Sequence, residues 1–131
     1  MGYHSDVVVA ADFETAEIRE AAWTAAKLRY QMEDYMWDKL QRFQETAIVF
    51  EAESIKWYGS YPEVNAVNEM FKEFWHTDFD ANVKEVIVGE ETDDMTEELY
   101  EAGSHRDQPD WFWDVYIQRS IDAPWKWGSN E

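Results

Sequence analysis

AEIREAAWTAAKLRYQMEDYMWDKLQRF, running from Ala16 to Phe43, holds 28 residues with neither glycine nor proline, and its reading decides how the rest of the chain is arranged. Without a backbone breaker the spacing predicts one long helix. Thr15 stands where a cap is wanted, and Glu17 and Glu20 put negative charge in the first turn, where the macrodipole favours it. Arg42 gives the far end a cationic finish without a glycine cap. Stepping from Ile18, the side chains of Ala21, Ala22, Ala25, Leu28, Met32, Tyr35, Met36, Leu40 and Phe43 fall within an arc of about 140°, a stripe expected to face a core. Trp23, Tyr30 and Trp37 form a second ridge, seven residues apart, outside that stripe. The ridge needs a cover: the C-terminal segment of this chain, a partner, or a second copy in a C2 dimer.

Outward from this stretch, β-branched runs alternate with helical spacing. Asp6 to Phe13 reads as a strand buried on both faces, and Thr46 to Glu53 as a second, with Ser54 to Tyr58 either continuing it or turning into a short third. Ser60-Tyr61-Pro62-Glu63 has the form of a capping box. Behind it Val64, Val67, Met70, Phe71 and Phe74 recur at helical spacing as far as His76. Val83 to Val88 is another strand. Asp94-Met95-Thr96-Glu97 repeats the capping-box form and predicts a short acidic helix between Gly89 and Gly103. Trp111 to Ile121 alternates like a long last strand, and residues 122–131 read as a tail bearing Trp125 and Trp127. The fold class expected is α+β: a ferredoxin-like antiparallel sheet with two long helices on one face, plus the acidic helix and the C-terminal strand, as one domain over residues 1–121.

The charge narrows the function. The chain of 131 residues carries 29 acidic against 11 basic side chains, a net charge of −18, yet 45% of it is hydrophobic and 17% aromatic, so the carboxylates must clothe a folded core. Such a surface repels nucleic acid and attracts basic protein surfaces. Adaptation to a saline cytoplasm would also enrich carboxylates. With no cysteine, disulfides and thiolate metal sites are excluded. Neither a leader nor a membrane span is signalled, so a cytoplasmic location is expected.

Seven carboxylates, Glu90, Glu91, Asp93, Asp94, Glu97, Glu98 and Glu101, crowd twelve residues that hold no basic residue. On a rigid helix they could imitate the phosphate spacing of a nucleic acid and occupy a basic groove; the bland use is a solvated face. Glu20, Glu33, Asp34 and Asp38 of the long helix could extend this surface, with Trp37, Trp125 and Trp127 supplying aromatic anchors. Enzyme chemistry finds less support. His76, Asp78 and Asp80 offer an imidazole and two carboxylates to a divalent metal, but they sit at a helix exit, where Asp commonly forms turns. The five glycines make no phosphate loop, and no cofactor is implied.

Gly2-Tyr3-His4-Ser5-Asp6-Val7, Ile55-Lys56-Trp57-Tyr58 followed by Pro62-Glu63-Val64, and Gly89-Glu90 with Asp93-Asp94 resemble a group of small bacteriophage-encoded proteins. The resemblance implies a phage origin and, by analogy, an inhibitor of a host nucleic-acid enzyme or of a defence complex, of the DNA-mimic or anti-CRISPR kind.

Overall fold

The structure, a computed structural model, describes residues 4–89 and 95–114. Its strands are β1 (Ser5–Asp12), β2 (Leu40–Phe43), β3 (Ala47–Ile55), β4 (Asn82–Val88) and β5 (Met95–Tyr100); its α-helices are α1 (Ala16–Arg29), α2 (Asp34–Trp37) and α3 (Pro62–His76), and a 3-10 helix spans Asp110–Asp114. The strands make one antiparallel sheet in the order β2-β3-β1-β4-β5. The protein is therefore α+β, and β1, the most apolar strand, lies at the centre, as a strand buried on both faces should.

Both long helices cover the same face. Val7, Val9, Ala11, Ile48, Phe50, Ala52 and Val83 of the sheet meet Ala22 and Ala26 of α1 and Val67, Met70, Phe71 and Phe74 of α3 in one buried cluster. The apolar positions of α3 are those the spacing predicts, and Pro62 opens the helix, but its N-cap is Tyr61 and no side chain caps it, so the box at Ser60 does not form. Phe74 stands edge-on to Phe13 and Phe71, with ring centroids 5.3 and 5.2 Å away. On the opposite face Val8, Val86 and Val88 pack with Val49 and Trp111.

The single helix expected from Ala16 to Phe43 is three elements. Thr15 caps α1 as expected, its Oγ1 accepting from the Ile18 N–H at 3.1 Å. The helix stops at Tyr30, whose backbone is extended and whose phenol donates to Glu73 of α3, while Arg29 pairs with the same carboxylate. A 28-residue helix would be about 42 Å long, far longer than the strands beneath it. The chain instead turns back so that Leu40 pairs with Phe50 and is buried. The core-facing stripe shifts with it: Arg19, Ala22 and Ala26 face inward, whereas Leu28 is 84% exposed and Tyr35 and Phe43 are also exposed. Buried Arg19 is satisfied by the carbonyls of Gln44 (3.3 Å) and Ala47 (3.0 Å), so it clamps the β2–β3 turn under α1.

Two further expectations give way. Met95–Tyr100 is a strand rather than an acidic helix, because its pairing with β4 supplies backbone partners along its whole length. The last strand expected from Trp111 is, over Asp110–Asp114, a 3-10 helix; positions 115–121 and the tail lie outside the described residues. The segment leading there is pinned beneath the sheet. Asn82 accepts from the Ala102 N–H at 2.7 Å, Arg106 donates to the carbonyls of Asp12 (2.8 Å) and Asp80 (3.0 Å), and Lys84 Nζ donates to the Phe112 carbonyl at 2.6 Å. Among the described residues no helix is long and apolar enough to cross a membrane.

Candidate partner-binding surface

β5 is an edge strand: one side pairs with β4, and among the described residues no strand pairs with the other. Its residues are exposed except Tyr100, which is half-buried, and they include two large apolar side chains, Met95 (57% exposed) and Leu99 (42%). Because strand side chains alternate, Glu97 and Glu98 point to opposite faces. Glu97 joins Lys84 on the face away from the helices, at 3.0 Å. Glu98 stands directly opposite Glu85 on the helix-bearing face. Glu101 follows the strand; its carbonyl accepts from Trp75 Nε1 at 2.7 Å and its carboxylate lies 4.0 Å from His105.

The helical array of carboxylates imagined from the sequence is thus replaced, at Glu97 and Glu98, by a flat two-faced edge. Glu90, Glu91, Asp93, Asp94, Trp125 and Trp127 lie outside the described residues. Glu20 does not share an element with Asp34 and Asp38, since the helix ends between them. Its charge is also answered by two cations, Arg19 at 2.6 Å and Arg42 at 2.9 Å. Glu33, Asp34 and Asp38 surround the short α2 and are exposed. Trp37 is half-buried against the main core, with the Lys27 ammonium 4.4 Å from its ring centroid, and Trp23 is covered by Arg42 at 5.1 Å. The aromatic ridge is therefore met partly by the chain's own cations.

Beside β5 a cleft of about 400 Å³ opens between α3 and the sheet. Val9, Val83 and Phe71 line its depth, and Trp57, Trp75, Tyr100, Lys72 and Glu85 are among the residues around them. Trp57 packs on Phe50 with centroids 5.5 Å apart. Trp75 is fixed by its bond to the Glu101 carbonyl and lies 5.2 Å from the Tyr100 ring. Burial, and then the Glu98 charge, push the Glu85 carboxyl above the usual glutamate range. Burial, then the charges of Glu98 and Glu85, and a hydrogen bond to the Glu98 carboxylate raise the Tyr100 phenol. The sequence reading missed this site. Its signal was Lys84-Glu85 inside a β-branched run, where charges must either find partners or face an opening.

His76, Asp78 and Asp80 are not brought together as ligands. His76 ends α3 with its ring 5.2 Å from Trp75, and Asp78 is exposed. Asp80, at a φ of 52°, receives the Ser104 N–H, and bonds from Ser104 and Gly103 hold its carboxyl below the usual range. It organises the loop that carries Arg106. Among the described residues no group of three or more His, Cys, Asp or Glu could hold a metal ion. No protein family, curated protein or solved structure matches the chain.

Proposed function

We propose that this is a non-enzymatic binding protein that engages a basic protein surface of the kind that grips nucleic acid, acting as a phage-encoded inhibitor of a host or defence complex. The observation that carries the reading is β5: an edge strand that no described strand covers, in a chain of net charge −18, bearing Glu97, Glu98 and the exposed Met95 and Leu99. An open edge offers backbone donors and acceptors to an incoming extended segment. Its carboxylates discourage self-pairing, because another copy brings the same charge, while they attract a cationic partner. Long-range attraction accelerates encounter and weakens as salt screens it. The resemblance to small phage-encoded proteins supports the choice of a host nucleic-acid-binding target.

The test is retention of purified host nucleases and other DNA-binding proteins on the immobilised protein, with duplex DNA as competitor. At least one should be retained, displaced by DNA, and weakened at least tenfold by the Glu98→Lys/Glu101→Lys double variant. Retention indifferent to DNA and to the charge reversal contradicts the reading.

A further inference from the structure

We infer that the cleft between α3 and the β4–β5 ladder is a receptor for a single arginine side chain presented by the basic partner, with Glu85 as its anchor. The inference rests on the reading that the partner is basic and adds where one of its charges goes. Three independent features meet there. The walls are aromatic, from Trp57, Trp75 and Tyr100, and ring faces attract cations. The Glu85 and Glu98 carboxyls stand opposite each other across the ladder. Among the described residues neither forms an ion pair with a cation, and Glu98 takes only a hydrogen bond from Tyr100, whereas the two charges buried within this sheet are answered: Lys84 by Glu97 and the Phe112 carbonyl, Asp12 by Thr46 at 2.8 Å and by Arg106. The volume, about 400 Å³, is within the small-ligand range and exceeds what a water or metal ion needs.

Guanidinium fits this chemistry better than ammonium. It is planar, so it can lie against an indole face while two of its edge donors meet the Glu85 carboxylate side by side, and it is more weakly hydrated, so it enters a half-buried site at lower cost. The groups facing Glu85 are Glu98 and Tyr100 from β5 and Lys72 from α3; the lysine lies on the lining without pairing to Glu85 among the described residues. Binding a cation lowers the Glu85 pKa, so affinity rises with pH until that carboxyl is fully ionised.

N-acetyl-arginine amide, titrated into the full chain and followed by the indole N–H signals in 15N-resolved NMR, is the probe. Its neutral isostere N-acetyl-citrulline amide is the control. The arginine probe should shift the Trp57 and Trp75 signals saturably, bind at least tenfold more tightly than the citrulline probe, and lose at least fivefold in affinity in Glu85→Gln but not in the equally charge-reduced Glu17→Gln. Equal binding of the two probes, or equal loss in both variants, overturns the inference. Failure of the arginine probe while a DNA-displaceable partner still binds removes the cleft and leaves the basic-partner reading standing. Loss of the partner with the probe still seated in the cleft does the reverse.

Discussion

The two faces of the β4–β5 ladder handle charge in opposite ways. On the face away from the helices, Lys84 is buried and fully used: its ammonium meets Glu97 at 3.0 Å and the Phe112 carbonyl at 2.6 Å, so it ties the 3-10 helix to the sheet. One residue along, on the helix-bearing face, Glu85 stands opposite another carboxylate, Glu98, at the edge of an aromatic cleft, and among the described residues no cation pairs with it. The first face spends its charge on holding the fold together; the second leaves a charge unanswered inside the structure. A partly buried charge without a counter-ion costs stability, so the contrast separates residues that stabilise from residues that are available to a ligand.

Replacing Lys84 should have the largest effect. Lys84→Met leaves the Phe112 carbonyl without its donor and Glu97 without its cation, and should lower stability by about 2 kcal/mol in urea denaturation, with Trp fluorescence as the probe. A loss under about 0.5 kcal/mol would mean that the two faces do not differ as described.

The pH dependence comes next. Burial raises the carboxyls of both Glu85 and Asp12. A raised folded-state pKa contributes stability that is complete below the unfolded value and is lost as pH climbs through the folded one. Asp80, held low by Ser104 and Gly103, works in the other direction, contributing stability that disappears only as pH falls through its depressed value. With self-repulsion at net −18 adding to the first trend, the protein should be more stable near pH 5 than at pH 8 in thermal melts. Glu85→Gln should flatten that slope. A Tm that rises steadily from pH 5 to pH 8 would contradict the assignment of carboxylates without a cation partner to the helix-bearing face.

Smaller effects of opposite sign complete the comparison. Glu85→Gln, which removes a like-charge cross-strand pair, should raise stability at pH 7 by about 0.5 kcal/mol. Glu97→Gln, whose carboxylate is half exposed, should lower it by about 0.5 kcal/mol or less. Opposite signs for these two glutamates, one on β4 facing the helices and one on β5 facing away, are the signature; the same sign for both would erase it.

Much of the framework is legible because local and tertiary demands agree. Asp6-Val7-Val8-Val9-Ala10-Ala11 has no amphipathic alternative, so it reads as the central strand that it is, and the Val64, Val67, Met70, Phe71, Phe74 spacing reads as α3. The misreadings arise where tertiary pairing outweighs intrinsic preference. Leu40-Gln41-Arg42-Phe43 continues a helical pattern, yet its position beside β3 buries Leu40 only if the chain is extended. Met95-Thr96-Glu97-Glu98-Leu99-Tyr100 suits a helix by composition, but the unpaired edge of β4 is satisfied only by a strand. The α1 stripe was misplaced because the large residues drew the arc, whereas the close approach of helix to sheet uses Ala22 and Ala26 and admits Arg19 through its hydrogen bonds. The candidate cleft was hidden for a different reason. Trp57, Trp75, Glu85 and Tyr100 come from four separate segments, and no spacing rule joins them before the sheet does.

The most direct measurement is the titration of the Glu85 side-chain carboxyl, followed by 13C NMR in the free protein and in Glu98→Gln. The account predicts a pKa above the ordinary 4.5, falling when the neighbouring charge is removed. A value at or below 4.5, unmoved by that substitution, would contradict it.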